Sequence, residues 1–341
     1  MRPNLFHYAT SELSQDAVLC WLLSWAKPEH KDDGRLHWIG VELLTLIYTR
    51  AKVALPNAFT SVEVRKQAAN IDILCIVNGK TAIIIEDKTG SKQHSGQLAR
   101  YKDYVFTTLG FTADHVIPVY IQTGDESDYN EVAKNGYLIL GRADLLRILE
   151  GDNGVVARNE SDIFDNFASR LRQIEDDVQS YRSLSLEKWT WNSWKGFYSR
   201  IQGALGEGNW DYVSNPAGGF LGFWWHFRGS ADCEVYLQIE QDKFCFKIVV
   251  EPGEKRRDFR DHWHNLVISK CPEHGLRAKR PDRFGNGVYM TVVILDQEFR
   301  VMDSNGLIDM EATIKVLHSA ESVLDDCLLP LMPKQSEKLI R

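Results

Sequence analysis

The sequence predicts an α/β core with a mixed sheet flanked by helices, followed by a smaller α+β domain whose sheet is mostly antiparallel. Three observations predict it. Two amphipathic helical stretches precede any strand, and a block of Ile- and Val-rich runs then alternates with helices. After "SLSLEKWTWNS" (183–193), where small polar residues and tryptophans break the pattern, the chain turns to meander-like strands. That break divides the chain into residues 1–184 and 185–341.

The elements follow in order. "SELSQDAVLCWLLSWA" (11–26) places Leu13, Ala17, Val18, Trp21, Leu22 and Trp25 at helical spacing behind Ser11 as N-cap. "LHWIGVELLTLIYTRAKV" (36–53) predicts a second helix, and "AFTSVEVRKQ" (58–67) alternates as a strand does. "IDILCIVNGKTAIIIEDKTG" (71–90) is two apolar runs around Asn78-Gly79, a hairpin signal. A helix ending at Gly is predicted over 94–110, buried strands over 115–124 and 137–141, and closing helices in "ADLLRILEG" and over 163–184. Beyond the break, "WKGFYSRIQGAL", "KRRDFRDHWHNLVISK" and "MEATIKVLHSAESVLDDCLLP" read as helices. "GGFLGFWWHFRG", "EVYLQIEQ", "KFCFKIVVEPG" and "GVYMTVVILD" read as strands.

Bulk properties narrow the function classes. A length of 341 residues accommodates two domains, each with its own core. The formal net charge of -7 argues against a protein that coats nucleic acid by bulk attraction, so any polyanion site must be local, as a basic groove would be. No apolar stretch is long enough to span a bilayer, and "MRPNLFHYATSEL" lacks a signal-peptide apolar region, so a cytoplasmic location is expected. The six cysteines are scattered without a C-x-x-C pair, which predicts reduced and mostly buried thiols.

Chemistry concentrates in the hairpin. Glu86 and Lys88 share one strand face, and Asp87 points to the other. A two-residue turn would set Asp72 opposite Ile85. A three-residue loop, Asn78-Gly79-Lys80, pairs Val77 with Thr81 and sets Asp72 opposite Glu86, and a bulge would bring the two carboxylates together as well. Two such carboxylates repel, and desolvation beside an Ile-rich sheet adds to the cost. A Mg²⁺ ion resolves both problems: it takes carboxylate, water and phosphate oxygens, polarises a phosphoryl group and acidifies a coordinated water. Lys88 can orient or help deprotonate that water, or balance charge on the phosphate. The plainer alternative is a strand end that has reached solvent, with Glu86, Asp87 and Lys88 as its wet cap. Asp72 lies inside its run, which favours the catalytic reading. In the next helix Gln97 and Tyr101 stand at i and i+4 on one face.

With Asp72 in "NIDIL", Glu86 and Lys88 in "IIIEDK" and Gln97 with Tyr101 in "QLARY", the chain resembles the PD-(D/E)XK nuclease superfamily, in particular its RecB-like Q-x-x-x-Y branch. The resemblance covers roughly residues 8–182 and implies a restriction-endonuclease-like αβββαβ core. It also implies a divalent metal held by Asp72 and Glu86, with Mg²⁺ replaceable by Mn²⁺, and Lys88 as the catalytic lysine. Gln97 and Tyr101 would lie near the DNA backbone. Glu12 is implied as an accessory acid, with Glu42 and Glu63 as competitors. Ile71 stands where the family usually carries Pro, which removes one diagnostic residue and no chemistry.

Outside the core, His262-Trp263-His264 and the Cys271–His274 spacing do not make up a four-ligand zinc set. Arg256, Arg257 and Arg280 belong to a basic concentration that includes Lys255, Arg260, Arg277, Lys279 and Arg283. With Trp189, Trp191, Trp194, Phe223, Trp224 and Trp225 it can grip a nucleic-acid strand, or the tryptophans can fill a core and the arginines solvate a loop. The leading expectation is a Mg²⁺-dependent DNA nuclease with a role in bacterial defence or repair. The rival is a silent nuclease fold whose second domain binds nucleic acid or a nucleotide signal. Endo- or exonucleolytic cutting, acceptance of RNA and pairing as a homodimer stay open.

Overall fold

A computed structural model describes residues 3–91, 96–151, 161–215, 218–230 and 232–328. The chain divides into two compact units, Met1–Asp176 and Asp177–Arg341.

In the first unit, Ser11 caps helix α1 (Glu12–Ser24) by accepting the Ser14 N–H. Helix α2 (Arg35–Arg50) packs on it so closely at Gly40 that a Cβ there would stand 2.6 Å from the Leu22 carbonyl oxygen. Strands β1 (Val62–Ala68), β2 (Ile71–Val77) and β3 (Thr81–Lys88) then run antiparallel. After helix α3 (Gln97–Thr107) come β4 (Val116–Gln122), the short α4 (Asn130–Lys134) and β5 (Leu138–Gly141). Helices α5 (Arg142–Glu150) and α6 (Asp162–Gln179) complete the series.

The sheet order is β1-β2-β3-β4-β5, with β3, β4 and β5 parallel. All of β3 is buried, as its apolar run requires for a central strand covered on both faces. Ile73, Ile83 and Ile85 face one core with α1, α2, α5 and α6, whereas Leu74, Ile84 and Tyr120 face another with Leu98, Tyr101 and Val105 of α3. The hairpin loop has the odd length that the chemistry needs. Asn78 and Gly79 both take positive φ (54° and 63°), Lys80 N–H donates to the Val77 carbonyl at 3.0 Å, and Val77 pairs with Thr81. The Asn78 side chain also holds the segment before β1, accepting from Thr60 N–H at 2.7 Å and donating to the Ala58 carbonyl at 2.8 Å. Hence β1 starts at Val62, later than its alternation predicts.

The second unit opens with α7 (Trp191–Leu205), capped by Thr190, and continues with β6 (Asn209–Val213), β7 (Phe220–Ser230), β8 (Cys233–Glu240) and β9 (Lys243–Val249). Helix α8 (Arg256–Lys270), β10 (Ala278–Lys279), β11 (Tyr289–Leu295) and α9 (Met310–Leu328) follow. Its sheet is antiparallel in the order β10-β11-β9-β8-β7-β6. Residues of α7, α8 and α9, among them Phe197, Val267 and Leu324, share one core with Phe223, Leu237 and Phe246 of the strands. All six cysteines are free, and all but the half-buried Cys20 are buried. No helix among the described residues is long and apolar enough to cross a membrane.

Candidate active site

The β2–β3 register carries Ile73 opposite Ile85, so the next pair outward is Asp72 and Glu86. Their alternation puts both on the α3 face, and Lys88 stands one turn of the pleat beyond. Asp72 is fixed at both oxygens: Oδ2 accepts the Asp87 backbone N–H at 3.0 Å, and Oδ1 accepts from Gln67 Nε2 at 3.2 Å. Lys88 Nζ lies 2.5 Å from Glu86 Oε1, 3.6 Å from Glu12 Oε2 and 3.9 Å from Asp72 Oδ2. Glu12, in the first turn of α1, also accepts from Ser91 Oγ at 2.5 Å and from Thr89 N–H at 3.4 Å. Three acids thus surround one lysine at the rim of the sheet.

Glu86 is fully buried, and neither of its oxygens meets a donor in hydrogen-bonding geometry, the close Lys88 ammonium included. Burial, with the Asp72 carboxylate adding to it, pushes the Glu86 carboxyl up to about 7 against the pull of Lys88. Burial alone would lower Lys88, but Glu86, Asp72 and Glu12 outweigh it and raise the ammonium above its ordinary value. Without a further cation the site therefore holds a charged lysine beside a carboxyl that takes up a proton near neutral pH.

Beneath lies a layer that sequence reasoning missed. Asp87 points away from Asp72, and its Oδ1 accepts from Gln15 Nε2 at 2.6 Å. Gln15 Oε1 in turn accepts from Thr123 Oγ1 at 2.7 Å, so one buried amide ties α1 to the ends of β3 and β4. Thr123 is itself held by its carbonyl, which accepts from Arg142 Nη1 at 2.7 Å. Asp16 shares Gln67 Nε2 with Asp72, at 3.3 Å and 3.2 Å respectively, and Gln67 reaches them from a left-handed backbone (φ 55°) at the end of β1. Burial raises Asp16 to about 6, helped by Asp72, and burial raises Asp87 well above its ordinary value despite the Gln15 hydrogen bond. The only sequence signal for this layer is a Gln and an Asp on the inner face of an otherwise apolar helix.

Gln97 and Tyr101 come together as their spacing requires, with Gln97 Nε2 donating to Tyr101 Oη at 2.6 Å. Burial raises the Tyr101 hydroxyl to about 12, and Glu86 and Asp72 add to the rise, which places the phenol in the field of the carboxylate pair. Of the competing accessory acids, Glu12 alone reaches Lys88. Glu42 is exposed on α2. Glu63 is exposed, binds Arg65 Nε at 2.7 Å and pairs in register with Ile76, up the strand from Asp72.

In the second unit, Arg256 donates to the carbonyls of Val250 and Glu251 at 3.0 and 2.9 Å, fastening the chain that leaves β9. Arg280 lies 4.2 Å and Arg260 4.3 Å from the Phe284 ring centre, and Arg257 is exposed with Asp261 at 3.9 Å. Trp194, Phe223 and Trp225 fill the core and Trp189 packs against it, so of the predicted aromatic grip only Trp191 is strongly exposed. His264 Nδ1 pairs with the Val292 carbonyl and His274 Nε2 with Asp326, so neither joins a zinc set.

Two carboxylates facing each other, one of them sealed from water and with only the shared Lys88 ammonium beside it, fit a hard divalent cation, which would offset the remaining negative charge. Asp72 and Glu86 are the residues that would hold it. No curated protein and no solved structure matches the chain. The family model described as the PD-(D/E)XK nuclease superfamily does match, over residues 3–192, a span that contains the hairpin, the lysine and the Gln–Tyr helix. With more than half of its length under that match, the chain belongs to the PD-(D/E)XK nuclease superfamily.

Proposed function

We propose that the first unit is a Mg²⁺-dependent DNA nuclease that hydrolyses phosphodiester bonds, with Mn²⁺ able to replace Mg²⁺. The observation that carries the reading is the meeting of Asp72 and Glu86 across the hairpin with Lys88 Nζ 2.5 Å from Glu86. A bound divalent ion supplies polarisation of the phosphoryl oxygen and a more acidic water. Lys88 serves as a cation: the surrounding acids keep it protonated, so it positions the attacking water and balances charge on the phosphate. Glu12 also holds Lys88, at 3.6 Å from its ammonium, and the Asp87 N–H and Gln67 keep Asp72 turned toward its partner. The Gln97–Tyr101 pair supports the Q-x-x-x-Y branch and places a donor set beside the acids for a backbone phosphate.

The test is incubation of circular and linear DNA with Mg²⁺ or Mn²⁺, with Asp72→Ala alongside. Cutting by the native chain that disappears in the variant is expected. Absence of cutting of single- and double-stranded DNA with either ion, or cutting that survives Asp72→Ala, overturns the proposal. The second unit is assigned a recognition role for DNA or a partner, and the exposed Arg257 and Trp191 are the residues it offers.

A further inference from the structure

A cavity of about 230 Å³ opens on the α1 face of the sheet, just beyond the end of β3. Thr89, next in chain to Lys88, and Ser11, next to Glu12, both line it, so it adjoins the lysine and the first of the acids around its ammonium. Its walls divide by chemistry. Phe6 and Phe167, packed edge to face with ring centres 5.4 Å apart, form an apolar side. Thr10 and Thr89 bring hydroxyls, and Arg170 of α6 brings a guanidinium that has no ion pair or hydrogen bond among the described residues. The volume is below the roughly 300–1,000 Å³ of pockets that enclose whole drug-sized ligands or cofactors. An apolar wall, a few hydroxyls and one unpaired cation in that volume match a planar heterocycle joined to one phosphate.

We infer that this cavity receives a single unstacked nucleotide of the substrate strand beside the scissile bond, with Arg170 meeting its phosphate and the Phe6–Phe167 side receiving its base. The inference rests on the nuclease reading and narrows its substrate. A base can leave the stack for a cavity only where the strand is unpaired or opened at a cost of a few kcal/mol, so the preferred substrate is single-stranded DNA or a frayed end. Arg170 supplies a charge-assisted contact whose loss costs about tenfold or more in affinity.

The experiment uses single-stranded oligonucleotides carrying 2-aminopurine, whose fluorescence rises when it is unstacked, bound to the full chain in EDTA so that nothing is cut. The expected result is a severalfold rise at one position, binding weaker for a blunt duplex of the same sequence, and about tenfold weaker binding with the rise lost in Arg170→Ala. Thr10→Trp, an exposed position at the cavity, should plug it and remove the fluorescence rise while thermal unfolding stays unchanged. Cleavage with Mg²⁺ is scored in parallel. Cutting and binding by the native chain without a fluorescence rise, or a rise that survives both variants, overturns the cavity assignment and leaves the nuclease reading standing. Absence of both binding and cutting overturns the two together. A nucleotide signal lost in both variants from a chain that does not cut overturns the nuclease reading alone.

Discussion

Among the described residues, two clusters of metal-ligand types stand out, one in each unit, and they differ in what their atoms still lack. In the second unit Glu207, His226 and Glu321 bring ligand atoms within 4.8 Å of one another. His226 is turned inward by a bulge in β7, where its own φ is 57°. Yet its Nε2 faces Asp325 Oδ1 at 2.9 Å and its Nδ1 faces Arg228 Nη2 at 3.1 Å. Glu321 Oε1 accepts from Trp225 Nε1 and Oε2 meets His318 Nδ1, both at 2.7 Å. Protein groups already meet that cluster. Around Asp72 and Glu86 the ligand atoms are fewer, but the Glu86 oxygens are sealed from water, and the Lys88 ammonium 2.5 Å from Oε1 is shared with Asp72 and Glu12, one cation among three acids. Proximity of ligand atoms is common; unmet charge in a dry place is what an ion relieves.

The contrast breaks most visibly in activity. Lys88→Met should reduce DNA cleavage by about 10²–10³-fold, the range for removing one preorganised charge from a reacting phosphoryl oxygen, which is roughly 2.7–4 kcal/mol. Glu321→Gln should leave cleavage at the native level, because its cluster is held by protein partners. Initial rates on one linear substrate measure both. Equal losses in the two variants would mean that the second-unit cluster takes part in the chemistry.

A second prediction concerns pH. The Glu86 carboxyl sits at about 7 in the fold against an ordinary 4.5, and Asp16 at about 6 against 3.8. Raised acids contribute stability that is complete below their unfolded values and is lost as pH rises through the folded ones. The metal-free chain should therefore lose stability between about pH 5 and pH 7, by roughly 3 kcal/mol from Glu86 alone. Added Mg²⁺ should restore part of it, since the ion replaces the proton. Denaturation midpoints in EDTA across this range give the slope, and Glu86→Gln should flatten it. A slope that is the same in that variant would contradict the assignment of Glu86 as the strained acid.

Legibility followed the range of the interaction. The odd hairpin loop could be reasoned from Asn78-Gly79 and the need to oppose Asp72 to Glu86, because a register is a local count. Gln97 and Tyr101 share a helical face because they stand at i and i+4, whereas Glu12 was expected only from the family resemblance, since its approach to Lys88 is a tertiary contact. Gln15, Asp16 and Gln67 were not legible. Their roles depend on α1 crossing the ends of β1, β3 and β4, and no local spacing encodes that crossing. The short β6, β10 and α4 carry too few residues for a period to emerge. The tryptophans of the second unit were ambiguous for a different reason: an aromatic side chain suits a core and a binding face equally, and only packing decides. Packing sent Trp194 and Trp225 inside and left Trp191 out.

The smallest predicted effect tests the hidden layer. Among the described residues, Gln15 is the side chain that meets both Asp87 on β3 and Thr123 after β4, and its amide orientation is fixed by those partners: nitrogen to the carboxyl, oxygen to the hydroxyl. Gln15→Ala leaves both partners buried and unmet, which costs about 1–3 kcal/mol. Thermal unfolding should therefore fall in EDTA, while Gln15→Glu, which keeps the shape but adds a charge beside the buried Asp87, should fall further. Since Glu12 lies one turn before Gln15 on α1, cleavage should weaken in Gln15→Ala without vanishing, the hold on Lys88 being loosened and no group at the phosphate removed. If Gln15→Ala unfolds like the native chain, the two hydrogen bonds contribute nothing net, and the attachment of α1 to the strands that carry Asp72 and Glu86 must come from apolar contacts such as those of Leu19, Leu22 and Leu23.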